Sequence, residues 1–321
     1  NKYDKALETY PYINSRAQIT RIEVWITNKQ NRVSTTENNL RNIIALQDLG
    51  ESQLVGLSDA AVVGVADAGF FNVVPDTPSD NRNNKFDPSN IGANFLNSNI
   101  RDVSTALNGF NNAGMAEGID FAKLENARKL SPSEYTFHPQ LGYLSLNQRL
   151  TNDEVLAVAY QYTVSGDVYQ VGEFGTDGVD ATNVSSGGIP SSQALLLKML
   201  KSNLVVVAEP AWNLMMKNIY QIQGGFQLQQ EDFKLNILYT DPSPLNYISK
   251  TGLDPFPDEN NPSLNLPYEV TQTPLLKVFN VDKLNYTNDP QEGGDGFFDF
   301  IPGLTVDTQK GRIIFTTVKC F

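Results

Sequence analysis

The sequence predicts a β-dominated α+β fold built from antiparallel meander and sandwich-like modules with a few short helices. Three observations predict it. Residues 18–27 (QITRIEVWIT) set Ile22, Val24 and Ile26 against Glu23 and Trp25, the period-two alternation of a half-buried strand. Residues 154–163 (EVLAVAYQYT) are apolar on both alternating faces, with Val155, Ala157 and Ala159 on one and Leu156, Val158, Tyr160 and Tyr162 on the other, so this strand is expected to be central and covered on both sides. The run TFHPQLGYLSLN from Thr136 is echoed by TVDTQKGRIIFT from Thr305, each reading Thr-x-x-x-Gln-x-Gly before a β-rich run. That is the composition of a strand, a tight turn and a returning strand. The first copy is followed by another strand and the second stops at Phe321, so its hairpin is expected to leave an open sheet edge and the chain to be cut from a longer one.

Element by element, residues 43–49 read as a second strand ending at Gly50, and the small-residue run 60–68 as a buried strand or loose helical turn. Residues 75–99, rich in Asn, Asp, Ser and Pro, form a long polar loop. Residues 118–130 have helix-forming composition with Glu125 and Lys129 four apart, and Pro132 ends the element. A four-stranded meander is expected over 135–138, 142–147, 154–163 and 167–174, separated by turn residues. The glycine-rich stretch 172–188 marks a boundary between a β-rich module, 1–174, with a helical insertion, and a mixed module, 175–321. The second module is expected to hold two short helices, a strand and an incomplete C-terminal hairpin. One helix follows Pro190 with Leu196, Met199, Leu200 and Leu204 on one face, and the next carries Trp212, Met215, Met216, Ile219 and Tyr220. Residues 233–239 (FKLNILY) read as a strand, a Pro- and Asn-rich loop runs to about Pro267, and a short apolar element spans 275–284.

At 321 residues with 40% hydrophobic composition the chain can bury a sizeable core. A net charge of −12 argues against nucleic acid, whose phosphates are bound by Lys and Arg, and against anionic membrane surfaces. Cys320 has no partner in the chain, no signal-peptide pattern follows Asn1, and apolar runs such as 195–197 and 205–208 are far short of the roughly 20 residues of a membrane helix.

Catalytic chemistry finds little support. His138 is the only histidine and stands where the second hairpin has Asp307, which reads as a polar turn position. With one His and one Cys, neither a nucleophile–histidine arrangement nor a zinc site can be assembled. Gly187-Gly188 lacks the spacing and Lys of a phosphate loop. Acid pairs are plentiful, but they gain meaning only from a measured separation in a pocket. Calcium is the one candidate ligand: Asp289, Glu292, Asp295 and Asp299 lie in NDPQEGGDGFFDF, whose DGxxD spacing matches oxygen-rich cation loops, although Pro290 and Gly293-Gly294 suit an ordinary turn equally. The loop 76–87 is also rich in oxygen ligands, with Arg82 and Lys85 opposing a cation. The Met residues of the two expected helices read as core.

Seven stretches in order carry a resemblance: NKYDKALETYPYINSRAQITRIEVWITN from Asn1, NNLRNIIALQDLGE from Asn38, SPSEYTFHPQLGYLSLNQ from Ser131, DEVLAVAYQYTVSGDVYQVGEFGTD from Asp153, LLLKMLKS from Leu195, WNLMMKNIY from Trp212 and NDPQEGGDGFFDFIPGLTVDTQKGRIIF from Asn288. Together they resemble the SprA/Sov family, the very large outer-membrane translocon of the type IX secretion system in Bacteroidetes. The departure is the final TTVKCF, where a Pro- and Glu-containing continuation is more usual. The resemblance implies a protein without enzymatic activity or catalytic residues, part of a giant β-barrel that conducts folded cargo and serves gliding motility. It implies the remainder of the barrel, a smaller partner barrel, a periplasmic plug and secreted cargo as partners. This segment is then expected to be insert material at the extracellular cap, with a periplasmic vestibule as the second choice. The alternative is a binding module that uses loops 75–99 and 251–267 to recognise cargo or a partner barrel.

Overall fold

The computed structural model describes residues 2–29, 40–47, 49, 96–110, 115–176, 180–184, 190–239, 244–248 and 273–318. Strands dominate, as expected, and fall into two units: a ring unit, Arg16–Met215, and a terminal unit made of Asn1–Ser15 and Met216–Phe321. The expected boundary at 174/175 therefore falls inside the ring unit. The reason is that a strand C-terminal to that point pairs with two strands N-terminal to it.

Five strands of the ring unit close on themselves: β1 (Ala17–Ile26), β2 (Leu40–Leu46), β3 (Phe121–Lys129), β6 (Leu156–Val164) and β10 (Leu195–Lys201). Their order is β1-β3-β2-β10-β6, and β6 returns to β1 along an antiparallel register from Ala17↔Val164 to Ile26↔Leu156. All contacts are antiparallel except β2–β10, which runs parallel from Leu195↔Ile43 to Lys198↔Leu46. β7 (Asp167–Val171) pairs with the second half of β6.

The inner face gathers Trp25, Ile43, Leu124, Leu195, Leu197 and Met199 with five alanines, Ala45, Ala122, Ala127, Ala157 and Ala159. A ring of so few strands is narrow, so small side chains admit one indole. The opposite strand faces are also buried. Ile44, Leu46, Phe121 and Leu196 lie under two 3-10 turns, Ser98–Arg101 and Ala106–Gly109. Val24, Ile26, Leu156 and Val158 lie with Tyr135, Phe137, Leu144 and Leu146 of the hairpin formed by β4 (Tyr135–His138) and β5 (Tyr143–Leu146). Thus β6 is covered on both faces, as its sequence predicts. The end of β1 is too, rather than half-buried, because Trp25 points into the ring.

Three expectations fail for identifiable reasons. Residues 118–130 form no helix; β3 occupies them. Its pairing with β2 slips between Arg41↔Ala127 and Ile43↔Leu124, and Asn126 sits there at φ 49 with its N–H on Asn42 Oδ1 at 2.9 Å. The bulge adds a residue, so Leu124 and Ala127 both face inward. Their spacing of three mimics a helix. The expected helix after Pro190 is β10, preceded by a small ladder of β8 (Thr182–Val184) with β9 (Pro190–Ser192). Leucines on consecutive positions satisfy helical and strand periods alike, and burial on both faces decides for the strand. The expected four-stranded meander is split: β4–β5 is a sheet of its own, while β6 is a ring strand and β7 extends the same sheet from β6.

In the terminal unit, α1 (Lys2–Ala6) opens the chain, and the expected helix over 212–220 is instead a 3-10 turn, Pro210–Leu214 in the ring unit, followed by β11 (Ile219–Gln221). β11 pairs with β13 (Arg312–Ile314), which pairs with β12 (Val306–Asp307). The second hairpin exists as predicted, but the β13 edge expected to be open is filled by β11. Residues 233–239 are extended without a ladder: Phe233, Leu235 and Ile237 are half-buried beside Val281 and Phe315, and only Tyr239 bridges, to Leu245. The apolar element 275–284 contains one helical turn, α2 (Leu275–Val278). The expectations for residues 60–68, most of the 75–99 loop, loop 76–87, Gly187-Gly188, loop 251–267 and Cys320 lie outside the described residues.

Because the inner face of β10 closes the ring, Leu197→Ala is expected to destabilise the ring unit by about 2–5 kcal/mol, read as a lower urea midpoint. Leu238, which is exposed, serves as the control: Leu238→Ala should change stability by less than about 0.5 kcal/mol.

Candidate interaction surface

Lys201 ends β10 by turning its ammonium onto four carbonyls, those of Thr151 at 3.1 Å, Asn152 at 3.0 Å, Glu154 at 2.6 Å and Ser202 at 3.1 Å. Burial holds its pKa below the ordinary lysine value, opposed by Glu154 and Asp153. Ser202 Oγ then donates to the Gly118 carbonyl and accepts from Leu204 N at 3.1 Å. Gly118, at φ 88, holds a left-handed backbone conformation that favours glycine, and the Leu204 side chain packs over it.

From this anchored point the chain exposes aliphatic side chains in succession. Leu204 is 53%, Val205 48%, Val206 39% and Val207 68% exposed, and Leu214 joins them at 41%. The run is fastened again at its far end, where Gln47 Nε2 donates to Glu209 Oε2 at 3.4 Å and the 3-10 turn Pro210–Leu214 begins. Between the two anchors lies a shallow cleft lined by Gly118, Leu200, Leu204, Trp212 and Met215. An exposed aliphatic run held at both ends is a surface for contact with polypeptide. A helical reading puts Leu204 on the core face; the contrary signal in the sequence is four consecutive leucine or valine residues, 204–207, running straight into Ala-Glu-Pro, which no amphipathic period explains.

His138 is the last residue of β4, at the entry to the hairpin turn, and Asp307 is the last of β12. Leu141 N donates to His138 Nδ1 at 3.2 Å, and Lys310 N donates to Asp307 Oδ1 at 3.0 Å, the same contact in the two hairpins. Burial lowers the His138 pKa, favouring the neutral ring that can accept this bond.

The residues expected to ligate calcium are each engaged separately. Asp289 accepts from Thr287 Oγ1 at 2.8 Å, Asp295 Oδ1 from Phe297 N at 3.0 Å, and buried Asp299 from Tyr10 Oη at 2.5 Å and Lys283 N at 2.6 Å. Among the described residues no group of three or more acidic, His or Cys side chains is placed to hold a metal ion, so the structure does not bring these three together. The buried carboxylate that sequence reasoning passed over is Asp282, set within the apolar element between Val281 and Leu284.

One internal ion pair organises the ring unit's roof. Arg101 in the first 3-10 turn meets Glu173 with two bonds of 2.6 Å and also donates to the Ala194 carbonyl at 3.0 Å, while Glu173 accepts from Leu196 N at 2.8 Å.

Residues 1–151 match a protein-family model, SprA_N, described as a motility related/secretion protein. Over these residues, just under half of the chain, it is related to the SprA family. The SprA match spans β1 to β5 and ends before β6 and β10, so it includes three of the five ring strands but not the aliphatic run. A search of curated proteins found no match.

Arg101→Met leaves the Glu173 carboxylate, 1% exposed, without its cation, and is expected to cost about 3–5 kcal/mol in chemical denaturation. Replacing both residues, Arg101→Met with Glu173→Met, should recover much of that loss.

Proposed function

We propose that this chain is a non-enzymatic structural part of an outer-membrane protein-conducting translocon for type IX secretion and gliding motility, an insert at its cap or vestibule. The observation that carries the reading is the family match over residues 1–151, which ties the chain to motility and secretion. The extracellular face is the preferred location, and in this role the chain needs no cofactor. Its partners are the remainder of the translocon barrel, a smaller partner barrel, a periplasmic plug and passing cargo.

The structure of the ring unit supports a scaffold role in physical terms. Its inner face is filled by side chains and both faces of its central strands are buried, so it is a solid support. What it offers outward is the run 204–207. We assign this run to contact with the barrel of the same translocon, because a surface of aliphatic side chains without a polar pattern suits a permanent, dry contact better than the selective reading of varied cargo. The second reading, a module that recognises cargo, draws on the same exposed run.

Photo-cross-linking from Val205 and Val207 in native membranes separates the two. The expected products join this segment to barrel polypeptide of the translocon; products containing only secreted cargo would replace the scaffold reading with the binding one. Val205→Asp and Val207→Asp are expected to leave thermal stability within about 0.5 kcal/mol, since both side chains are exposed, while reducing the cross-linked complex.

A further inference from the structure

Backbone hydrogen bonding separates alternate residues along the aliphatic run. The even-numbered residues are partly engaged by the chain itself: Leu204 N donates to Ser202 Oγ at 3.1 Å, and the Val206 carbonyl accepts from Glu209 N at 3.2 Å. The Ser202 carbonyl accepts from Lys201 Nζ at 3.1 Å. The odd-numbered residues differ. Among the described residues, the backbone N–H and C=O groups of Asn203, Val205 and Val207 have no hydrogen-bond partner, and all three residues are exposed.

Alternation of this kind has a physical meaning in a strand. The N–H and C=O of one residue point to the same edge, and the next residue points to the opposite edge, so a neighbouring strand exchanges both bonds with every second residue. Val205 and Val206 lie outside any helix, turn or ladder. The edge that carries Leu204 and Val206 therefore serves the fold, and the edge that carries Val205 is left open.

An open edge is ordinarily blunted by Lys, by Pro or by a covering element. Residues 203–208 read Asn-Leu-Val-Val-Val-Ala, with neither Lys nor Pro, and three successive valines are the side chains that suit a pleated ladder. Water can satisfy the free backbone groups, but it leaves the aliphatic side chains uncovered. A strand laid along the open edge meets both needs, since its main chain bonds the backbone and its side chains cover the valines. The cleft lined by Leu200, Leu204, Trp212 and Met215 lies alongside and receives an apolar side chain from such a strand. Main-chain bonds then supply affinity and the cleft supplies selectivity.

We infer that residues 203–207 accept an added strand: an extended apolar segment of barrel polypeptide pairs its backbone with the Val205 edge and sets one apolar side chain into the cleft beside Trp212. The inference rests on the proposed contact between this run and the translocon barrel, and it names how that contact is made. Because the run is fastened at Lys201 and at Glu209, its backbone is ordered before the partner arrives.

The test is hydrogen exchange resolved to single amides, on the translocon from native membranes and on this chain alone. In the chain alone the amides of Val205, Val206 and Val207 are expected to exchange fast. In the assembly those of Val205 and Val207 should slow by at least about 100-fold, and that of Val206, on the other edge, by less than about threefold. Equal slowing of all three, the mark of side chains packed without backbone pairing, would overturn the inference, as would no slowing at all. A pair of variants reads the same bond independently. Val205→Pro removes the N–H, and is expected to lower the yield of photo-cross-links from Leu214 by about tenfold, whereas Val205→Thr keeps the N–H and a branched side chain and should lower it far less. Equal yields from the two variants would count against strand addition. The outcomes also separate this inference from the role it rests on. Alternating protection with products that contain only cargo would keep the pairing and remove the scaffold role; barrel products with uniform protection would do the reverse.

Discussion

Closing five strands on themselves leaves a narrow interior, in which small side chains must make room for the large ones. The ring unit meets that constraint with five alanines around Trp25, and the rest of the unit follows from it. Because a narrow inner face can hold only a limited apolar volume, hydrophobic burial must come from the outer faces too. That is why the two 3-10 turns and the β4–β5 hairpin cover the ring on different sides, each contributing its own apolar cluster. The Arg101–Glu173 pair ties one of these roofs to the end of β7 and to the start of β10, so a charge-assisted bond fixes what side-chain packing alone would leave to slide.

The strand that completes the ring also creates the candidate surface. β10 is parallel to β2 and antiparallel to β6, and after a bulge between Met199 and Lys201 its pairing with β6 finishes at Lys201↔Leu156. At that point Lys201 gathers four carbonyls, and the backbone leaves the sheet into the run 204–207. The exposed aliphatics are thus presented from the most constrained strand of the unit. Their ordering entropy is met by folding and not by association, which is the condition for a contact that forms readily.

Much of the strand content was legible in the sequence because period-two alternation survives wherever one face differs from the other, as in β1, or where a strand is bounded by turn residues, as in β4 and β5. The paired hairpins were legible down to the equivalence of His138 and Asp307, since a side chain that accepts from the third residue onward, followed by Gly142 or Gly311 at positive φ, is a local property. Two strands read as helices for tertiary reasons. In β3 a bulge brings Leu124 and Ala127 to one face; in β10 both faces are buried, and consecutive leucines carry no period. The domain boundary failed for the same cause, because glycine-rich composition at 172–188 marks a local break while the long-range pairing of β10 runs across it. The exposed run was not legible as a site, and the acid-rich loop did not show that Asp299 is covered while Asp289 and Asp295 are not: burial and exposure are decided by partners far along the chain.

The claim on which the account rests is that β10 closes the ring and presents residues 204–207 from a fixed support. Native-state hydrogen exchange across 195–208 addresses it directly. The amides of Leu195, Leu196 and Leu197 are predicted to exchange only with global unfolding of the ring unit, while those of Val205 and Val207 exchange orders of magnitude faster. If residues 195–197 instead opened at low denaturant together with 204–207, β10 would be a detachable edge, and neither the closed ring nor the fixed support would stand.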